Sequence, residues 1–341
     1  MRDGRLKMSL GDELRFRSSY TGESLRSLGN HRGRVTNSIP IADEQQRVLE
    51  AAVFRAFARM GTYSPNPLNI AQTQMLPTGT TVIELGRTAP IYWDLAADEE
   101  IIGMLLPSID PEDHSYVSGG PGVRLDATES AGRSIKIRLL GTKAEVVIHA
   151  KGVRWERQID AYEREVLSRG LIPVWNHKHL HPAERWELAM PYRRPSAPQT
   201  WIGSGLLRRA AAFQTFGRAY AVSAWEASHG RDALGWSIEI NTHPSNYVSH
   251  ARFISALTDR KYGLPLEVDE QKHHGCEIGQ DGQESRQSDY CRHFLRSTLG
   301  DGGWLELRFW RELPPEKLRE AMLSAGCRPR ILDRIVPKDT K

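Results

Sequence analysis

Gly235–Asn241 reads GWSIEIN. Trp236, Ile238 and Ile240 alternate with Ser237, Glu239 and Asn241, and a period of two sends the apolar set to one face of a strand. Pro244–Lys261 follows with Tyr247, Ala251, Ile254 and Leu257 on one side of a helix, and Leu264–Val268 returns as a strand. Farther on, Trp304–Trp310 (WLELRFW) alternates again. Pro314-Pro315 opens a helix with Leu318, Ala321, Met322 and Ala325 inward, Gly326 ends it, and Ile331–Val336 reads as a closing strand. The order is βαββαβ, so residues 201–341 are expected to form a ferredoxin-like domain whose open sheet face is a common platform for RNA or DNA.

Working upstream, four prolines (Pro182, Pro191, Pro195, Pro198) punctuate residues 182–200 and read as a linker. After it, Ser204 is the expected cap of a helix running to Phe216. Residues 41–181 are expected to form a helix and antiparallel-sheet domain. Val48, Leu49, Ala52, Val53, Ala56, Phe57 and Met60 recur at three and four after Asp43, which marks an amphipathic helix with its cap. Thr80–Leu85 reads as a strand, and Ser134–Leu140 with Ala144–Ala150 as a hairpin. Trp155, Ile159, Tyr162 and Val166 share a helix face that Gly170 stops. Ser118–Gly122 is a glycine cluster, but it lacks the lysine, hydroxyl and following helix of a phosphate loop. The fold class is therefore α+β, with antiparallel sheets and packed helices.

Ile238–Pro244 (IEINTHP) resembles the strand of ATP-grasp ligases in which a Glu and an Asn two apart hold the magnesium of ATP. The resemblance covers seven residues, and the glycine-rich loop and ATP lysines are not found where that family has them.

The chain's 341 residues carry a net charge of +4, and residues 1–40 account for it: eight Arg and Lys side chains stand against four carboxylates. A segment so rich in arginine and so poor in apolar residues reads as a partly disordered basic arm that neutralises phosphate, with Leu14, Phe16 and Ser18 alternating as a possible strand. No window is long and apolar enough to span a membrane, and the first residues lack a signal-peptide core. With three cysteines no disulfide framework is expected, and a cytoplasmic setting follows.

Two of those cysteines lie in Lys272–His293 (KHHGCEIGQDGQESRQSDYCRH), each beside histidine, with fourteen residues between them. His273 or His274, Cys276, Cys291 and His293 are the expected ligands of a structural zinc knuckle, since thiolate and imidazole are what tetrahedral zinc takes. His273 and Cys276 leave the usual two residues between paired zinc ligands, whereas Cys291 and His293 leave only one. Arg15, Arg17, Arg32, Arg34, Arg208, Arg209 and Arg218 are the candidate phosphate partners, with Trp201 and Tyr220 as stacking rings. The expected function is binding of nucleic acid, RNA or single strands before duplex, in a ribonucleoprotein, mobile-element or defence complex with other protein subunits. A metal-dependent hydrolase or nuclease is the alternative. It would use His177, His179 or His181 with Asp126 or Glu145, or Asp126, Glu145 and Lys151 as an acid-acid-lysine set. A structural subunit holding a protein partner through its arm is the third reading.

Overall fold

The structure, a computed structural model, describes residues 9–30, 38–58, 66–86, 97–113, 116–129, 132–190, 196–217, 219–229, 233–242, 250–270 and 290–310, with Arg319, Glu320, Leu323, Pro329 and Leu332. The expected arm begins with two helices, α1 (Leu10–Thr21) and α2 (Leu25–Asn30). Ser9 caps α1 by accepting from the Asp12 N–H, and Gly22 ends it at φ 75°, a left-handed turn that glycine makes without strain. Phe16 and Tyr20 are four apart, so they share a helix face, and both meet Tyr262 and Phe216. The Tyr20 hydroxyl donates to the Ala256 carbonyl at 2.9 Å. The alternation around Phe16 is therefore part of a helical period, and the strand expected there is absent.

From α3 (Glu44–Ala58) the chain passes through a hairpin, β1 (Ile70–Met75) and β2 (Thr81–Leu85), then α4 (Ala97–Leu105) and the short strands β3 (Ser108–Ile109) and β4 (Val117–Ser118). Three longer strands follow, β5 (Val123–Glu129), β6 (Ser134–Leu139) and β7 (Glu145–His149), then α5 (Trp155–Ser168) and β8 (Ile172–Pro173), which joins β3 and β4 in a small sheet. The main sheet runs β1-β2-β7-β6-β5, antiparallel except where β2 lies parallel to β7.

The expected linker is built as helix starts. His181 caps α6 (Pro182–Ala189), Ser196 caps α7 (Ala197–Leu207), and each cap is completed by a side chain three residues on, Glu184 and Gln199. Pro182 and Pro198 sit in first turns, where a missing N–H costs nothing. Ser204, the cap read from sequence, lies inside α7. Beyond it come α8 (Ala210–Thr215), β9 (Ala219–His229), β10 (Ala233–Thr242), α9 (His250–Leu257), β11 (Leu266–Val268), β12 (Tyr290–Ser297) and β13 (Trp304–Trp310). Their sheet runs β9-β10-β13-β12-β11, again antiparallel apart from one parallel pair, β10 with β13. Expected strands at Gly235–Asn241, Leu264–Val268 and Trp304–Trp310 are present, while β9 and β12 are additions. The closing helix and strand fall almost wholly outside the described residues, and Leu332, within that expected strand, is helical.

The two large sheets have one topology. With β3, β4 and α8 set aside, each half is a helix, a hairpin, a helix and three strands, with the last strand parallel to the second and the third at the far edge. The leading helices, α3 and α7, pack on each other. Gly203 makes this possible: a Cβ there would sit 2.9 Å from the Trp236 ring and 3.0 Å from the Ala51 Cβ. Trp236 of β10 meets Phe54 of α3 edge to face with ring centroids 5.0 Å apart. One core cluster takes in Phe54, Ile83, Ile148, Ile202, Trp236 and Leu307, so the expected domains share a single apolar interior.

Candidate anion-binding cavity

Burying both leading helices carries polar side chains inside with them. Glu50 of α3 is fully buried, and its oxygens accept from Arg208 Nε at 2.8 Å and Nη2 at 2.7 Å, from Ser204 Oγ at 2.6 Å and from Gln46 Nε2 at 3.0 Å. The Thr81 hydroxyl of β2 donates to it as well. Arg208 gives its remaining terminal nitrogen to the Pro40 carbonyl at 2.7 Å. The pair joins α3, the end of α7 and the segment before α3, and each partner cancels the other's charge in a place water does not reach.

Arg209 lies next in the chain and is 4% exposed. Its guanidinium donates only to carbonyls: Tyr262 at 2.6 Å, Gly205 at 3.0 Å and Gly263 at 2.7 Å. No carboxylate pairs with it among the described residues. Burial pushes this guanidinium down to about 9, and Arg208 beside it pushes the same way.

Arg208 and Arg209 face a cavity of about 980 Å³ between α7, the segment 38–42 and the turn after α9. Trp201, Arg47, Asp259, Arg260, Lys261 and Glu267 line it as well. Lys261 is bound to Glu13 at 2.7 Å, and Glu267, on the cavity's edge, to Arg296 at 2.7 Å. Arg47 Nε is buried with no hydrogen-bond partner among the described residues. Once the ion pairs are set aside, Arg47, Arg209 and Arg260 stand against Asp259 alone. A low-dielectric wall with that surplus attracts an anion.

Of the residues expected to touch nucleic acid, the fold brings Trp201, Arg208 and Arg209 together here. Trp201 is 6% exposed and its indole N–H is held by Asp301 at 2.7 Å, so it forms wall rather than an open stacking platform. Arg17 is buried against Glu23 at 3.3 Å and gives Nη1 to the Ser38 carbonyl, a structural role. Arg15 stays exposed beside Asp12. Arg32, Arg34, Arg218 and the side chain of Tyr220 lie outside the described residues.

The metal expectations fare differently. His273, His274 and Cys276 lie outside the described residues. Cys291 is disulfide-bonded, and a sulfur so engaged is no thiolate ligand. His293 is buried on the core side of β12 against the rings of His250 and Phe309. Among the described residues no group of three or more His, Cys, Asp or Glu is placed to hold a metal ion. His181 accepts from the Ala183 N–H as a helix cap, and His177 and His179 are exposed. Their loop is fixed through its backbone: Arg124 donates to the carbonyls of both. Asp126 and Glu145 are bridged by Lys136 Nζ at 3.3 and 3.1 Å, so Lys136 of β6 fills the position that the sequence assigned to Lys151. Both carboxylates are thereby taken up by an ion-pair mesh on an open sheet face.

Arg47, Asp259 and Arg260 escaped the sequence reading. The helix expected over Pro244–Lys261 stops at Leu257, and the charge-dense run that follows, Thr258–Gly263 (TDRKYG), turns along the cavity. Gly263 and Pro265, close together after this run, are the signal for such a turn. No helix of the described residues is long and apolar enough to cross a membrane. The chain matches no protein-family model, no curated protein and no solved structure.

Proposed function

We propose that this chain binds a nucleic-acid single strand, holding one of its phosphates in the cavity beside α7. The observation that carries the reading is Arg209: a cation buried in a cavity wall, paired with no carboxylate among the described residues, in a wall that Arg47 and Arg260 also line. Burying an uncompensated charge is costly, and an anionic ligand offsets that cost. Among the described residues, three of the five guanidinium N–H donors of Arg209 go to carbonyls, and two remain for a phosphate. The positive excess of residues 1–40 favours a polyanion over an isolated small anion.

The test is fluorescence anisotropy with labelled RNA and DNA single strands of twelve nucleotides and the matching duplex, titrated in salt. Single strands are expected to bind more tightly than duplex. Their log K should fall with log salt at roughly 0.7 per phosphate neutralised. Failure of every oligonucleotide to bind at low salt refutes the reading.

A further inference from the structure

We infer that the cavity accepts the phosphorylated end of a strand, a terminal phosphate monoester, in preference to an internal phosphodiester; this rests on the strand-binding reading above. Size is the first ground. At about 980 Å³ the space falls at the upper end of small-ligand pockets, roughly 300–1,000 Å³, whereas grooves that track a continuing strand cover about 4–16 nucleotides. An internal phosphate reaching Arg209 at the wall would have to bring a nucleotide on each side of it into the same space.

Charge is the second. Among the described residues, three guanidinium groups of the wall without an ion pair and one carboxylate leave a surplus of two positive charges. A phosphate monoester carries about −1.5 to −2 near neutral pH, and it matches that surplus better than the single charge of a diester.

The rim is the third. Ile41, Leu299 and Val268 are 78%, 60% and 38% exposed, and all three border this cavity. Apolar side chains left open around a charged floor suit a terminal sugar and base, which bury carbon surface while their phosphate reaches inward. They do not suit a row of phosphates passing overhead.

The experiment compares three internally labelled twelve-nucleotide strands of one sequence: 5′-phosphorylated, 3′-phosphorylated, and with two hydroxyl ends. One phosphorylated strand is expected to bind about tenfold tighter than the hydroxyl-ended one. The preference should shrink below about pH 6 as the monoester takes up its second proton. Arg209→Met should abolish the preference. Because that change touches a buried side chain, Arg260→Ser serves beside it: Arg260 is exposed and makes no ion pair among the described residues, so its loss should cut the preference severalfold without affecting folding. Equal binding of the three strands overturns the inference and leaves strand binding intact, as does a preference that Arg260→Ser leaves at its full value. Absence of binding by all three overturns both.

Discussion

Glu50 provides the sharpest test of the folding account. Five donor groups converge on one fully buried carboxylate, and two of them belong to a guanidinium only 3% exposed. Glu50→Gln keeps the shape and removes the charge, so Arg208 is left as an uncompensated cation beside Arg209, which has no carboxylate partner among the described residues. Removing one partner of a buried pair costs about 3–5 kcal/mol. With an m-value of about 3 kcal/mol/M in urea, 4 kcal/mol moves the unfolding midpoint by roughly 1.3 M. Urea titrations followed by tryptophan fluorescence and by circular dichroism measure it, provided the two probes coincide. Replacing both partners, Glu50→Met with Arg208→Met, should recover much of the loss, because the pair stabilises mainly by sparing each partner an unpaired burial. The reasoning is refuted if Glu50→Gln stays within about 0.5 kcal/mol of the parent, or if the double variant loses as much as the two single changes added together.

Two further outcomes follow from the other buried pairs. Arg124 donates to both oxygens of Glu184, at 2.8 and 2.7 Å, and to the carbonyls of His177 and His179, so Arg124→Ala should cost about 3–5 kcal/mol and free the 177–181 loop; limited proteolysis should then cut there first, and an unchanged cleavage pattern counts against the role. Burial pushes the Glu184 and Glu306 carboxyls up, but Arg124 with the N–H groups of Gly122 and His181 in one case, and Arg308, Ser237 and Arg292 in the other, pull harder and hold both below the usual carboxylate range. Their contribution is thus fully present above the ordinary carboxylate pKa and is lost as pH falls through the lower folded-state values. Glu306→Gln should flatten the acid side of the stability profile, and a profile parallel to the parent's between about pH 5 and 2 would show that Glu306 gains nothing from its partners.

Much of the local structure was legible because local rules decide it. The period of three and four in residues 48–57 and the Asp43 cap are what make α3, with the Gln46 N–H on the Asp43 carboxylate at 2.9 Å. GWSIEIN and WLELRFW form strands β10 and β13, and their alternation places Trp236, Ile238, Leu305 and Leu307 in the core. Misreadings came where two rules compete for one residue. Prolines at 182 and 198 signal a break and equally the first turn of a helix, and the caps before them settle which. Phe16 fits period two across three residues and the i, i+4 pairing with Tyr20 over a longer span.

The site was legible in part. Trp201, Arg208 and Arg209 were singled out because rings and guanidinium groups alternate there, and they do share a cavity, although with functions that depend on distant partners. Whether an arginine is a structural ion or a free charge depends on what lies opposite it. For Arg208 that is Glu50, 158 residues away in the chain; for Arg209 it is three carbonyls. Similarly, His181 reads as a metal ligand until Ala183 and Glu184 show it to be a helix cap.

By itself, the order of residues determined helices, strands, turns and the excess of positive charge, because these depend on neighbours within a few positions. Only the tertiary structure decided that α3 and α7 meet through Ala51 and Gly203, that two halves without a visible sequence repeat share one topology, and which cations are paired. Those outcomes depend on burial and on charges brought together across the fold, and a linear pattern records neither.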